Sequence, residues 1–375
     1  MKTRTLFLAS LALLSTLNSQ LSTAFAQGSL TPPGAPAPTM KSLDQVEPRT
    51  PISTLPFTIT AAGSYYLTAN LTGVAGTNGI TLTANDTTLD LNGFALVGVA
   101  GSLSGIRVSG THTNIGILNG TVRNWGANGV DASTAIQSLF EKVRATDNGF
   151  SGILGGSGSV IRDCLATGNN TANGGSQYGI QANRATIIGC VFNNNLNGAQ
   201  GFSGVGGANV IINCVASGNS DDGIFTGFNS LVVACNASGN GSRGIRGGDE
   251  STIKDCVVYF NTSDGIIVSL KSVVSGNMCE NNGSGGSGAG IRATSYGNRI
   301  EGNHVTDNDR GIEINTGATN NVVVRNTVGR NPPTGSLGSS NYVFNAFTIF
   351  GPTNNVFNPA TGAITNLNPW ANISY

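Results

Sequence analysis

Hydrophobic and polar positions recur along this chain in a fixed phrase. Four marks define it: an apolar residue, a small residue three places on, an apolar residue two further, and Asn three beyond that. The first mark is filled by Ile161, Ile187, Ile211, Val232, Ile253, Val274, Ile300 and Val323. The last is filled by Asn169, Asn195, Asn219, Asn240, Asn261, Asn282, Asn308 and Asn331, at a constant offset. Between them the second mark is Cys164, Cys190, Cys214, Cys235 and Cys256, then Asn277, Asn303 and Asn326. A Gly-apolar dyad recurs in step with the phrase, from Gly79-Ile80 through Gly198-Ala199 and Gly223-Ile224 to Gly311-Ile312.

Repetition at this interval means a solenoid, either a leucine-rich repeat or a parallel β-helix. Ile211, Cys214, Ala216 and Asn219 satisfy the leucine-rich spacing, but leucine is scarce and the return segment lacks helix formers. Gly223 to Val233 reads GIFTGFNSLVV, rich in glycine and β-branched residues that favour strand over helix. Short strands without helices wind as a parallel β-helix, and parallel crossovers are right-handed. No six-residue period or calcium-binding nonapeptide persists, which disfavours the left-handed and nonapeptide forms.

Turns stack about 4.8 Å apart, so equivalent residues form columns. The first and third marks are expected inside, stabilised by burial at roughly 25 cal/mol per Å². Asn at the fourth mark is expected to turn the corner in the left-handed conformation and to bond to the Asn above it. The Cys column admits disulfides or buried thiols; side chains in one phase point the same way, which favours thiols.

The N-terminus carries Lys2 and Arg4, an apolar run from Leu6 to Leu17 and Ala24-Phe25-Ala26, the pattern of a secretory signal over 1–26. The run is too short to span a bilayer, and no membrane span is expected elsewhere. A flexible Pro/Gly-rich tether is expected over 27–50, followed by the solenoid over 51–375. Tyr65, Tyr66 and Leu67 are expected to cover its first turn, within an N-terminal cap of about 51–75. Phe344, Phe347, Ile349, Phe350 and Trp370 are expected to cover the last, within a C-terminal cap of about 332–375. The fold expected is therefore all-β, a single-stranded right-handed parallel β-helix of roughly eleven to thirteen turns.

The motif I-x-x-[CN]-x-[AV]-x-x-N followed by G-I resembles the repeats of the pectate-lyase-like superfamily. Carbohydrate-binding proteins, sugar hydrolases and the copper-site protein NosD share such repeats. The resemblance runs from about Ile80 to Asn331, with Leu89 to Gly93 and Leu118 to Val122 resembling early turns and Pro56 to Leu71 an entry segment. It implies a secreted, periplasmic or cell-surface protein acting on or binding a polysaccharide or cell-surface glycan. Polysaccharide lyase or glycoside hydrolase are the enzyme classes it implies, with a uronate-type polymer as substrate. A non-catalytic structural or adhesive solenoid is the other reading.

Composition narrows the partners. Formal net charge is zero and only 10% of residues are charged, so there is no basic surface for nucleic acid. His112 and His304 are the only histidines and lie far apart in repeat number, which supports neither a metal site nor a Ser-His-Asp triad. No cofactor is implied; calcium has no specific motif.

Residues beside the dyad are expected to face outward, and on three successive turns those before the Gly are Asp222, Arg243 and Asp264. Two rungs would put the carboxyls about 10 Å apart, near the upper spacing of an inverting glycosidase. They are acid/base candidates, with Arg243 as a charge stabiliser; the alternative is a solvated charge ladder neutralised by Arg243. Asp221-Asp222-Gly223 resembles the paired Asp of polygalacturonases, but the Asn-Thr-Asp, Gly-His-Gly and Arg-Ile-Lys elements are missing. Just after the dyad, Phe225, Arg246, Arg292 and Glu313 form a candidate glycan-binding strip, since aromatic faces suit sugar rings and guanidinium forks suit carboxylates.

Overall fold

A computed structural model describes residues 47–197, 200–204, 206–284, 286–331, 341–344, 348–355 and 368–374. The expected signal sequence, nearly all of the tether, Gly198-Ala199, the Pro332–Pro333 loop and Phe347 lie outside the described residues. The unit from Arg49 to Tyr375 is a right-handed parallel β-helix, and no described residue is helical.

Each turn contributes three short strands, as in Val210–Ile212, Val215–Ser217 and Ile224–Phe225. They stack into three columns, and the pairings between successive turns are parallel, so Ile211 sits beside Val232, Ala216 beside Ala237 and Ile224 beside Ile245. Among the described residues the third column holds thirteen strands, from Phe57–Ile59 to Tyr342–Val343. The first two columns join into one 26-stranded sheet because Ile115–Arg123 and Leu139–Thr146 run unbroken round the corner that later turns interrupt.

Successive Cβ atoms point to opposite faces, so three-residue strands of the first two columns bury their middle side chain, while those of the third bury the outer two, as Ile266 and Val268 do. In the first column the middle residue is Ile161, Ile187, Ile211 or Val232, all fully buried, and in the second it is Ala166, Phe192, Ala216 or Ala237. Bulky and small inward residues alternate to fill the narrow interior at native density.

The corners obey one rule that the sequence reading gets only in part. A residue with φ near +50° to +70° turns the chain, and the next residue points inward and bonds to its counterpart on the following turn. At the second corner the turning residues are Gly168, Asn194, Gly218, Gly239, Phe260 and Asn281, each one place before the ladder Asn. The ladder Asn therefore does not itself adopt the left-handed conformation. It is buried, and Asn219 Nδ2 donates both to Asn240 Oδ1 at 3.0 Å and to the Phe192 carbonyl at 2.8 Å. The same chain of amides runs from Asn148 to Asn341.

The first corner carries the Cys residues behind Asp163, Gly189, Asn213, Ala234 and Asp255. All six cysteines are buried and unpaired. The Cys214 thiol points at the Ile187 carbonyl one turn below, the place that the Asn277 amide takes when it donates to Ile253. Thiol and amide are thus interchangeable donors at this corner, which explains why the column changes from Cys to Asn after Cys256.

A third inward column of small polar residues completes the set. The Asn209, Ser230 and Ser251 amides donate to Ser230, Ser251 and Ser272 Oγ, and those of Ser272 and Asn298 to Asn298 and Asn321 Oδ1.

Near the N-terminal end Trp125 takes the place of the ladder Asn. It is 1% exposed, its indole donates to the Leu96 carbonyl, and a Cβ added at Gly73, Gly79 or Gly105 would fall within 2.8 Å of its ring. Arg49 lies over the Tyr66 ring at the first turn. At the other end Tyr342, Phe344 and Phe350 pack ring to ring against the core, whereas Ile349 is 63% and Trp370 46% exposed, the latter under Arg325. Ile349 and Trp370 therefore do not close the interior as expected.

Candidate functional site

In the third column the singled-out residues lie on either side of the buried dyad. Directly before the glycine lie Asp222, Arg243 and Asp264 on successive turns; directly after the dyad lie Phe225, Arg246, Ile267, Arg292 and Glu313, paired in register.

The expectation of outward, solvated carboxylates fails. Asp222 is 0% and Asp264 1% exposed. Each carboxylate accepts a backbone N–H from the next turn, Asp222 Oδ1 from Arg243 at 3.1 Å and Asp264 Oδ1 from Ala289 at 2.8 Å. Asn78 and Asn128 accept from Ser104 and Ser151 at the same position of earlier turns. On these four turns the residue before the glycine accepts a backbone N–H, and on two of them the acceptor is a carboxylate.

Those charges are met by arginines that bridge turns. Arg243 lies 3.4 Å from Asp222 and 4.0 Å from Asp264, touching both as the neutralising alternative requires. Arg246 lies 3.5 Å from the second oxygen of Asp222, and Arg292 joins Asp264 at 3.0 Å to Glu313 at 3.1 Å. Arg310 closes the series on Glu313 at 2.9 Å. Burial nevertheless raises the Asp264 carboxyl above its ordinary range, against the opposing effect of the Ala289 N–H and the Arg292 and Arg243 charges.

Beside this network is a depression of about 500 Å³ lined by Phe225, Phe228, Arg243, Arg246, Ile267 and Thr294. The Arg246 guanidinium lies 4.5 Å above the Phe225 ring, so ring and fork form one stacked surface whose orientation Asp222 holds. Its floor is glycine. A Cβ at Gly227 would meet the Gly204 carbonyl at 2.3 Å, and one at Gly248 the Gly227 carbonyl at 2.3 Å, so backbone packing forbids side chains there.

Of the residues singled out from sequence, Phe225, Arg243 and Arg246 line this depression. Asp222 and Asp264 sit behind it as partners of the arginines, and Arg292 and Glu313 belong to the ion-pair series alone. Phe228, half exposed, was not anticipated; the signal for it was the recurrence of Gly two residues beyond the outward position, at Gly227 and Gly248. Among the described residues no group of three His, Cys, Asp or Glu is placed to hold a metal ion, and no helix is long and apolar enough to cross a membrane. His112 is engaged by Asn85 and the Ser109 carbonyl.

A model of right-handed beta helix regions matches residues 201–349. No curated protein matches the chain by sequence. Among solved structures, the A-module of the Azotobacter vinelandii mannuronan C-5 epimerase AlgE4 is 15% identical, with a TM-score of 0.51 over 73% of this chain and 90% of that one. The Dettilon tailspike protein is 17% identical, with a TM-score of 0.52 over 81% of this chain and 61% of that one. A mutant tailspike protein of E. coli bacteriophage HK620 is 13% identical, with a TM-score of 0.52 over 84% and 71% of the two chains. The chain therefore has the right-handed parallel β-helix fold, and its residues 201–349 match the model of that repeat region.

Proposed function

We propose that the third-column wall binds a glycan outside the cytoplasm, in keeping with the expected signal sequence. The observation that carries this reading is the glycine-floored depression bearing the Phe225–Arg246 stack, with Phe228 beside it. Its lining spans four turns, about 14 Å at the rung spacing, the length of roughly three sugar units. Aromatic faces take the C–H face of a pyranose, while guanidinium donors take ring hydroxyls or a carboxylate. That a mannuronan epimerase shares the fold supports a polysaccharide as ligand.

Binding fits the geometry better than cleavage. A general acid or base must reach the substrate, and Asp222 and Asp264 are buried behind Arg243 with an oxygen each committed to the next turn. Their role in this reading is to hold the arginines in place. Because Asp222 and Asp264 already offset the guanidinium charges, the wall suits neutral or lightly charged sugars over dense polyanions.

Retention on a panel of immobilised neutral and uronate glycans tests the proposal. Phe225→Ala and Arg246→Ala should each weaken retention about tenfold, corresponding to about 1.4 kcal/mol, and no reducing ends or unsaturated products should form. Unchanged retention in both variants would remove the wall from the role. Self-association of the protein without any glycan retention would favour an adhesive solenoid instead.

A further inference from the structure

A second feature on a different face points to a ligand. At the second corner the turning residues are Asn194, Gly218, Gly239, Phe260, Asn281, Asp307 and Arg330 on successive turns, with φ of 51°, 64°, 61°, 55°, 51°, 57° and 52°. Gly, Asn and Asp tolerate this conformation best and a bulky side chain least, and Phe260 is the only aromatic residue that adopts it among the described residues. Phe260 nevertheless occupies it with 61% of its surface exposed. It gains nothing from core packing to offset either its backbone strain or its exposed ring. Strain kept at a solvent-facing position, with no structural return, is a mark of function.

The ring is not alone. Tyr259 stands edge to face with it at 5.5 Å between centroids, which fixes the direction of both rings. In register with Tyr259 are Ser238 on the turn below and Glu280 on the turn above. The flanking corners are Gly239 and Asn281, so the Phe260 ring rises over small and hydroxylated neighbours. On the other side of Tyr259 the strand carries half-exposed Val257, with Met278 beside it.

We propose that Tyr259 and Phe260 form a separate platform for a hexopyranose ring. A fixed aromatic face bordered by hydroxyl, amide and carboxylate groups matches a partner with one apolar face and a rim of hydroxyls. A protein partner would call for a broader apolar surface than this mixed one. The proposal shares with the wall site only the class of ligand, and the two rest on different residues.

Phe260→Asn tests it, because the substitution restores the residue type favoured at this corner. The variant should keep or raise the wild-type melting temperature, so lost binding cannot be ascribed to misfolding. Titration with oligosaccharides of glucose, mannose and mannuronate should show about tenfold weaker binding for at least one of them. The Phe225→Ala variant should retain the Phe260-dependent component, and the double variant should lose both. Binding unchanged in Phe260→Asn overturns the platform, as does a variant whose only difference is its oligomeric state in sedimentation, which would make the rings a contact between copies. Loss on Phe260→Asn with no effect of Phe225→Ala would overturn the wall reading and leave the platform standing.

Discussion

At the scale of residues, Asp264 shows how the fold sets chemistry. Burial raises its carboxyl pKa above that of the unfolded chain, so ionising it costs more in the folded state than in the unfolded one. Its contribution to stability is present in full below the unfolded value, about 3.9, and is lost as pH rises through the folded value. Asp264→Asn keeps an oxygen for the Ala289 N–H and removes the buried charge. The urea midpoint of this variant should therefore gain on wild type between pH 3.5 and 7. A difference that stays the same across that range would show that Arg243 and Arg292 cancel the effect of burial, and one that falls would show that they outweigh it. The sequence shows Asp222, Arg243 and Asp264 stacked in register, but not that the position before the glycine faces a backbone donor. Asn78 and Asn128 at the same offset held that information, in a part of the chain where the repeat is least regular.

At the scale of elements, the corner explains what was legible and what was not. The inward Asn and Ile positions are constrained in type, so they repeat visibly. The turning residue is constrained only in conformation, and Asp163, Gly189, Asn213, Ala234 and Asp255 share no chemistry that a pattern would reveal. The Ser and Asn column at the third corner was missed because Ser also fills the exposed positions. Two substitutions separate these constraints. Asn219→Ala should cost about 3 kcal/mol, since it removes the partner of the Phe192 carbonyl and of the buried Asn195 backbone N–H. Cys256→Asn should cost less than about 1 kcal/mol, because it continues the bonding of Asn277 by one rung. Denaturant midpoints check both, and equal losses would contradict the interchange of thiol and amide.

At the scale of the whole molecule, the three columns enclose a single continuous interior from Ile52 to Val328. All six thiols are buried inside the stack, and burial holds that of Cys279 well above its ordinary range. Reagent should find no accessible thiol in the native protein and all six after unfolding in denaturant. Fewer than six in the unfolded chain would mean that disulfides form. Stacks of this kind are in principle free to lose a turn, and from Asn219 to Asn282 the interval is a constant 21 residues. The alternation of charge before the glycine removes that freedom locally. Deleting the Arg243 rung would rejoin every ladder but bring Asp222 directly against Asp264, two buried carboxylates on neighbouring turns with a shared counter-ion gone. The ion-pair series thus acts as a reading frame, fixing how many rungs separate Phe225 from Arg292 in a fold that otherwise does not count them.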